Sequence, residues 1–407
     1  MRSFVRYFRE SYMKKIAIVG GGIVGLATGY KLQKLMPTAK ITLFEKENSV
    51  GQHQSGRNSG VLHCGLYYEP GSLKSKLAVS GIRQMTDFCI ENHIPHDICG
   101  KIVVASNSRE ESFLDNLADR GSKNGLKGLK YLSNEEMKSR EPYVFAKKAL
   151  LVPEEGIVDY KAVMQKLSDK IQENNGEIIL SNKIEKAVNL NHSVVLSGNN
   201  KEREFDLVFN CAGLHSDTNY QKFTGKKRPL RIVPFRGEYL MLKEDARRLV
   251  NHLVYPVPDP EYPFLGVHFT RLVNGEREVG PNAVFAFKRE GYKNIDFSLN
   301  DTIDSLTYKG FINFITKNFK FSANELLSSI FISSFLEKAK KLIPEIDSTM
   351  FVKGTAGVRA QAMDDTGKLL MDFNILREGN QIHVLNAPSP GATASLAIAD
   401  YILKEYL

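Results

Sequence analysis

The feature that most restricts the fold is Lys15-Ile16-Ala17-Ile18-Val19 running straight into Gly20-Gly21-Gly22-Ile23-Val24-Gly25. The apolar run reads as a buried parallel strand, and Gly20, Gly22 and Gly25 satisfy G-x-G-x-x-G. Ala27 to Leu35 has helical spacing, with Leu26, Tyr30 and Leu32 available for an inward face. Ile41-Thr42-Leu43-Phe44 then predicts a second strand, ending on Glu45. Glu45 follows Gly25 at the distance where a nucleotide-binding βαβ unit carries its ribose-binding carboxylate. Gly20 permits the tight turn, Gly22 lets a pyrophosphate approach the backbone, and Gly25 lets helix and strand pack closely. The phosphates would sit at a helix N-terminus, where free N–H groups and the helix dipole favour negative charge. A lone glycine motif is weak, but strand, helix, second strand and acid in register make it strong. Gly20, Gly22, Ile23, Val24, Gly25, Glu45 and Lys46 are the expected contacts of the dinucleotide.

The next segment decides which dinucleotide. Lys46 to His63 is polar and glycine-rich, with too many donors for a plain connector. It suits a chain that keeps touching one long ligand from ribose to ring system, as FAD requires. His53, Asn58, Ser59 and Gly60 belong to this stretch. Later segments return to the same ligand. Phe205 to Gly213 reads as a buried strand ending in the small residues Ala212 and Gly213. Gly354 to Gln361 reads as a small-residue loop that carries Gly357 and delivers Arg359. His383 to Thr393 reads as strand, tight turn and helix start, so Ser389, Pro390, Gly391, Ala392 and Thr393 can face an anion or a polarised carbonyl.

Composition narrows the class without naming a function. With 407 residues, 42% hydrophobic and 25% charged, the chain is an ordinary globular protein of two domains or one large body. No apolar run approaches the ~20 residues of a membrane span. Cys64, Cys89, Cys99 and Cys211 show neither C-x-x-C nor zinc spacing, so reduced thiols and no metal are expected. The net charge of +9 is spread along the chain, and no nucleic-acid motif accompanies it. Residues 1–13 are basic and aromatic and read as a poorly ordered extension, with an amphipathic membrane-surface element as the alternative. No secretory signal is read.

Arg57-Asn58-Ser59-Gly60-Val61-Leu62-His63-Cys64-Gly65-Leu66-Tyr67-Tyr68, Pro234 to Tyr239, Asn251 to Pro260 and Phe264 to Arg271 carry a resemblance. Val279 to Ala283, Gly357 to Gln361 and Asn386 to Pro390 extend it. The chain is similar, from about Lys14 to Lys404, to L-2-hydroxyglutarate dehydrogenases and oxidases of the D-amino-acid-oxidase-like superfamily. Gly391 departs from the pattern, where relatives often have alanine. The resemblance implies an α/β fold of two domains, glutathione-reductase-like. A Rossmann-like FAD-binding domain would take residues 14–90, 150–225 and 345–407, and an antiparallel-sheet substrate domain 91–149 and 226–344. It also implies FAD-dependent oxidation of L-2-hydroxyglutarate to 2-oxoglutarate. Hydride would pass from Cα to flavin N5, and electrons to a membrane quinone pool or oxygen. It further implies a cytoplasmic protein, with peripheral contact at the inner membrane as the finer expectation. Val188 would lie by the adenine, and Ala212 and Gly213 would pass near the cofactor.

The chemistry needs an arginine for a substrate carboxylate, a base for the hydroxyl proton, and positive charge near the reduced flavin. Arg359 and Arg236 answer the first need, although Arg236 reads equally well as a structural ion pair. His63 and His268 answer the second; His268 lies in an alternating strand, and only the resemblance raises it above a core histidine. The Pro390–Thr393 helix start answers the third. Tyr255 and Tyr67 are added as substrate contacts. The rival readings are a related oxidase of glycine, sarcosine or glycerol 3-phosphate, and a flavoprotein used for binding.

Overall fold

The computed structural model describes residues 13–258, 266–318 and 332–407. The reading of residues 1–12, and Asp259, Pro260, Phe264 and Leu265 of the motifs above, lie outside that set. β1 (Lys15–Val19) is followed by α1 (Ile23–Leu35) and β2 (Lys40–Phe44), as the glycine motif demands. β1 pairs in parallel with β2 on one side and with Leu207–Asn210 on the other. Glu177–Ile179 and Gln381–Asn386 extend the parallel set, and Asn374–Glu378 adds an antiparallel edge. Strands buried on both faces need near-continuous apolar sequence, and Ile16, Ile18, Ile41 and Leu43 are all inaccessible to solvent.

Gly25 shows why the helix must start with glycine. A Cβ there would stand 2.0 Å from the carbonyl oxygen of Gly20, a backbone atom that cannot give way. α1 then packs against α2 (Leu73–Glu91), the C-terminal helix Ser395–Tyr406 and the helix Tyr160–Glu173, whose inner faces share one core.

A second, nine-stranded sheet stands over this layer. Its spine is a ribbon of two long strands, Arg231–Leu242 and Phe351–Met363, paired antiparallel from Arg231 opposite Met363 to Leu242 opposite Phe351. The first of them runs unbroken from Arg231 to Leu242, bulged near Glu238. The loop expected at Gly354–Gln361 is its partner strand. Small residues there read as a loop because they pack poorly on a pleat, yet Gly357 faces the Arg57 carbonyl so closely that a Cβ would lie 2.4 Å from it. The small residues make room for the 52–60 segment.

Ser133 and Glu136 form a capping box, bonded in both directions, that starts the helix Asn134–Arg140. Among the described residues, no helix is long and apolar enough to cross a membrane.

Candidate active site

Between the two sheets lies a cavity of about 650 Å³, within the size range of cofactor sites. Its floor at one end is the β1–α1 turn, where Gly20, Gly22, Ile23 and Val24 line the wall. Gly22 caps α1 with no side chain of its own to bond the helix start. Ser55 closes the turn from above, its Oγ accepting from the Ile23 N–H at 3.0 Å. Gly25 sits behind the wall in the helix–strand contact described above. Glu45 is buried beside the turn, its carboxylate accepting from Gly21 N–H at 2.7 Å and Glu47 N–H at 2.9 Å. Those two bonds fix the carboxylate and leave lone pairs for further donors.

Lys46 and His53 line the next part of the cavity. The Lys46 ammonium lies 2.9 Å from His53 Nε2 and pairs with Glu47 and Glu290. His53 Nδ1 meets the Tyr292 hydroxyl at 2.6 Å, and the Arg57 guanidinium stacks on the Tyr292 ring. Glu47, His53 and Glu290 therefore surround an ammonium already made of protein. Asn58 and Ser59 also line the wall, while Gly60 turns behind it at φ +68° with its N–H on Asn58 Oδ1. Ala212 and Gly213 enter from the end of the Leu207–Asn210 strand.

Val188 does not reach the cavity. It lies on the outer side of the strand Ile184–Asn189, whose buried positions are Ile184 and Ala187, and it is 38% exposed. Ile184 lines the wall instead.

The far end gathers the candidates for the chemistry. His63, Tyr255, His268 and Arg359 all line it. His268 stacks on Tyr255 with centroids 4.0 Å apart, and Tyr255 meets the edge of His63 at 6.4 Å. The His268 Nδ1–H donates to the Gly266 carbonyl at 2.9 Å, so Nε2 carries the lone pair. Burial pulls its pKa down to about 3, which keeps the ring neutral. Arg359 acts on both His268 and the Tyr239 hydroxyl.

Two predicted substrate contacts fall elsewhere. Arg236 is buried, but alternation along its strand sends Gly237 and Tyr239 into the cavity and Arg236 away. Its guanidinium pairs with Glu238 at 3.0 Å and donates to Asn294 and the Lys293 carbonyl. Tyr67 lies behind the wall, its ring 4.4 Å from the Lys101 ammonium.

Behind His63 stands a group that reading the sequence missed. Glu155 is 1% exposed and Lys101 fully buried, with 2.7 Å between carboxylate and ammonium. Glu155 also lies 3.4 Å from His63 Nδ1 and accepts from the Cys64 N–H and thiol. Burial opposes its charge, but Lys101 and His63 outweigh that and hold the carboxyl well below the usual range. Burial pushes the Cys64 thiol well up, so it stays protonated and turned from the cavity. The sequence signals were slight: one lysine opening an apolar strand, and one of two adjacent glutamates between Pro153 and Gly156.

The turn from Ser389 to Thr393 closes this end, before the uncapped helix Ser395–Tyr406. Thr393 Oγ1 bonds the Tyr160 hydroxyl at 2.6 Å and accepts from the His63 N–H at 3.2 Å. Gly357 also lines this wall. A tight glycine turn, an open helix start and an anchored acid at one end suit FAD's AMP half, and the cavity continues past them to the histidines.

Comparison with known proteins agrees with this reading. The family model described as FAD dependent oxidoreductase matches residues 15–404. The chain is 46% identical over 390 residues to L-2-hydroxyglutarate dehydrogenase of Indibacter alkaliphilus, covering 96% of this chain and 98% of that one. It is 40% identical over 407 residues to the mitochondrial L-2-hydroxyglutarate dehydrogenase of Homo sapiens, covering 96% and 88%. Among solved structures, the FAD-bound L-alpha-glycerophosphate oxidase of Mycoplasma pneumoniae superposes with a TM-score of 0.77 at 22% identity, over 97% of this chain and 94% of that one. Glycine oxidase of Geobacillus kaustophilus gives 0.70 at 17% identity, over 97% and 94%. At those identities the structures speak for the fold alone.

Proposed function

Because the chain belongs to the FAD-dependent oxidoreductase family, and within it to the L-2-hydroxyglutarate dehydrogenases, we propose that it oxidises L-2-hydroxyglutarate to 2-oxoglutarate. The observation that carries this reading is one cavity with the nucleotide cradle at one end and Arg359, His63 and His268 at the other. The β1–α1 turn, Glu45, Ala212, Gly213 and the Ser389–Thr393 turn would hold FAD, which would supply a two-electron acceptor for the substrate's Cα hydrogen.

The protein's own groups do the rest. Arg359 takes the C1 carboxylate, where a planar guanidinium gives bidentate hold. His63 takes the hydroxyl proton on Nε2 while Nδ1 faces the Glu155 carboxylate. That carboxylate stabilises the imidazolium as it forms, the arrangement expected of a base with an orienting acid. His268 is the weaker candidate for base, since burial opposes its protonated form. A neutral ring with Nε2 open suits a hydrogen-bond partner better. The buried Cys64 thiol supports non-covalent FAD, and flavin released into the supernatant on denaturation is the expected result.

Quinone at a membrane surface is the acceptor this reading favours, with oxygen the slower one. An exposed apolar face supports the membrane contact. Leu299, Ile303 and Leu306 point outward at helical spacing on the helix Leu299–Leu306, beside exposed Phe287, Ile295 and Phe297. Asp304 of this helix turns inward and pairs with Arg228 and Arg289. Lys288, Lys293, Lys309 and Lys317 stay exposed around the face, as an anionic bilayer surface requires. Binding to vesicles containing anionic lipid, reduced by Ile303→Asp, is the check.

The activity is tested by anaerobic titration with L-2-hydroxyglutarate, glycine, sarcosine and glycerol 3-phosphate. Bleaching of the flavin band by the hydroxy acid alone is expected. Bleaching by an amine or by the phosphate ester instead would overturn the assignment.

A further inference from the structure

Lys74 is out of place by every local criterion. It occupies the first turn of α2, a 19-residue helix with no acidic residue in that turn, so its charge opposes the helix dipole. It is only 8% exposed, and burial draws its pKa down to about 8. Among the described residues no carboxylate comes within ion-pairing distance of its nitrogen. Asp372 acts on it only from farther off. Its one close partner is the face of Tyr68, 4.5 Å away. A buried ammonium without a counter-ion is costly, yet this one lines the cavity.

Its position within the cavity is informative. Tyr68 donates its hydroxyl to the Ser389 carbonyl at 3.3 Å, so Lys74 stands by the turn that closes the reactive end. Thr393, at the other end of that turn, accepts from His63. Arg359 lies among Tyr239 and His268, on the second sheet. The two cations thus enter the reactive end from different layers, with His63 bonded to the turn between them. The phosphates of a dinucleotide belong to the α1 start at the opposite end, where Lys74 plays no part.

We propose that Lys74 is the counter-ion of the substrate's second carboxylate and makes the enzyme selective for dicarboxylic 2-hydroxy acids. The proposal rests on the reading of the site as a 2-hydroxy-acid dehydrogenase. It supplies the second cation that Arg236, turned out of the cavity, does not. The bound carboxylate completes the ion pair that the fold leaves open. Selectivity follows because a monocarboxylate leaves the ammonium buried and unpaired.

The test uses flavin-loaded full-length protein, wild type, Lys74→Met and Lys74→Arg. Steady-state kinetics compare L-2-hydroxyglutarate with L-2-hydroxybutyrate, which lacks the second carboxylate. Removing one charged hydrogen bond should raise KM for the dicarboxylate about 10- to 100-fold. The preference for dicarboxylate over monocarboxylate should fall by the same factor in Lys74→Met, and Lys74→Arg should restore most of it. In parallel, the flavin spectrum is titrated with glutarate and with butyrate, which cannot be oxidised. Glutarate should bind tighter than butyrate in the wild type and lose that advantage in Lys74→Met. An equal loss on both substrates, an unchanged preference, or loss of flavin from Lys74→Met would each overturn the proposal. If wild-type flavin is not reduced by L-2-hydroxyglutarate while glutarate binding still depends on Lys74, the activity reading fails and the carboxylate site stands.

Discussion

The two ends of the cavity are built on opposite plans. The nucleotide end is made almost wholly by one continuous stretch, Gly20 to Glu45, and works through backbone N–H groups, a helix start and one anchored carboxylate. The reactive end draws His63, Lys74, Lys101, Glu155, His268 and Arg359 from segments that meet only in the folded protein. Backbone recognition needs a local shape, and a short sequence can encode it. Side-chain chemistry needs charges placed against one another in a dry site, and only packing can bring them there. The nucleotide end should therefore fail through shape and the reactive end through charge.

The sharpest break is Gly25→Ala. A methyl group 2.0 Å from the Gly20 oxygen forces the turn apart, and the purified protein should be colourless, with no flavin absorbance. A yellow, fully loaded Gly25→Ala would refute the role of this contact.

Next in size is His63→Asn, which should keep its flavin and lose roughly 10²- to 10⁴-fold in kcat, as loss of a general base does. Glu155→Gln should give a smaller loss in kcat, because it removes the charge that stabilises the His63 imidazolium as it forms. An unchanged kcat would remove Glu155 from the mechanism.

Arg359→Leu comes third, with KM for the hydroxy acid up by about 10- to 100-fold, the loss of a hydrogen-bonded charge, and turnover lowered as well. Arg236→Leu supplies the contrast: its ion pair with Glu238 lies outside the cavity, so it should lower thermal stability and leave KM in place. A KM effect as large as that of Arg359→Leu would reverse the placement of these arginines.

The smallest effect concerns acid stability. His268 holds its proton in the folded state only below about 3, whereas an unfolded histidine does so below about 6.5. Between those values the unfolded chain binds more protons, so stability falls as pH drops from 6.5 towards 3. At about 1.4 kcal/mol per pH unit, this residue costs roughly 3 kcal/mol between pH 6.5 and 4. Urea melts across that range should show a shallower fall for His268→Asn. His383, buried and with its pKa drawn down to about 4, adds a second share that this variant leaves intact.

Reading from residues went astray where tertiary pairing overrides local preference. Gly354 to Gln361 reads as a loop because glycine and alanine are poor strand formers, and it becomes a strand because Arg231–Leu242 supplies a full-length partner. Arg236 and Arg359 are indistinguishable as charges in sequence. Which of them faces the cavity depends on the phase of alternation, and that phase is set by pairing across the ribbon, where Arg359 stands opposite Phe235. Val188 was carried by likeness to a loosely patterned segment, and the buried phase of its strand falls on Ile184 and Ala187 instead.

By itself the sequence determined the β1–α1–β2 cradle, the FAD-binding class and the chain's family, and it singled out His63 and Arg359 as candidates for the chemistry. Each is a local pattern, in which glycines, apolar runs and neighbouring polar residues state their purpose within a few dozen positions. The tertiary structure alone decided that Glu155 stands behind His63, that Arg236 turns away, and that Lys74 enters the cavity without a counter-ion. Those facts depend on burial and distance between residues far apart in the chain, and a charged side chain acquires its meaning only from what packing sets beside it.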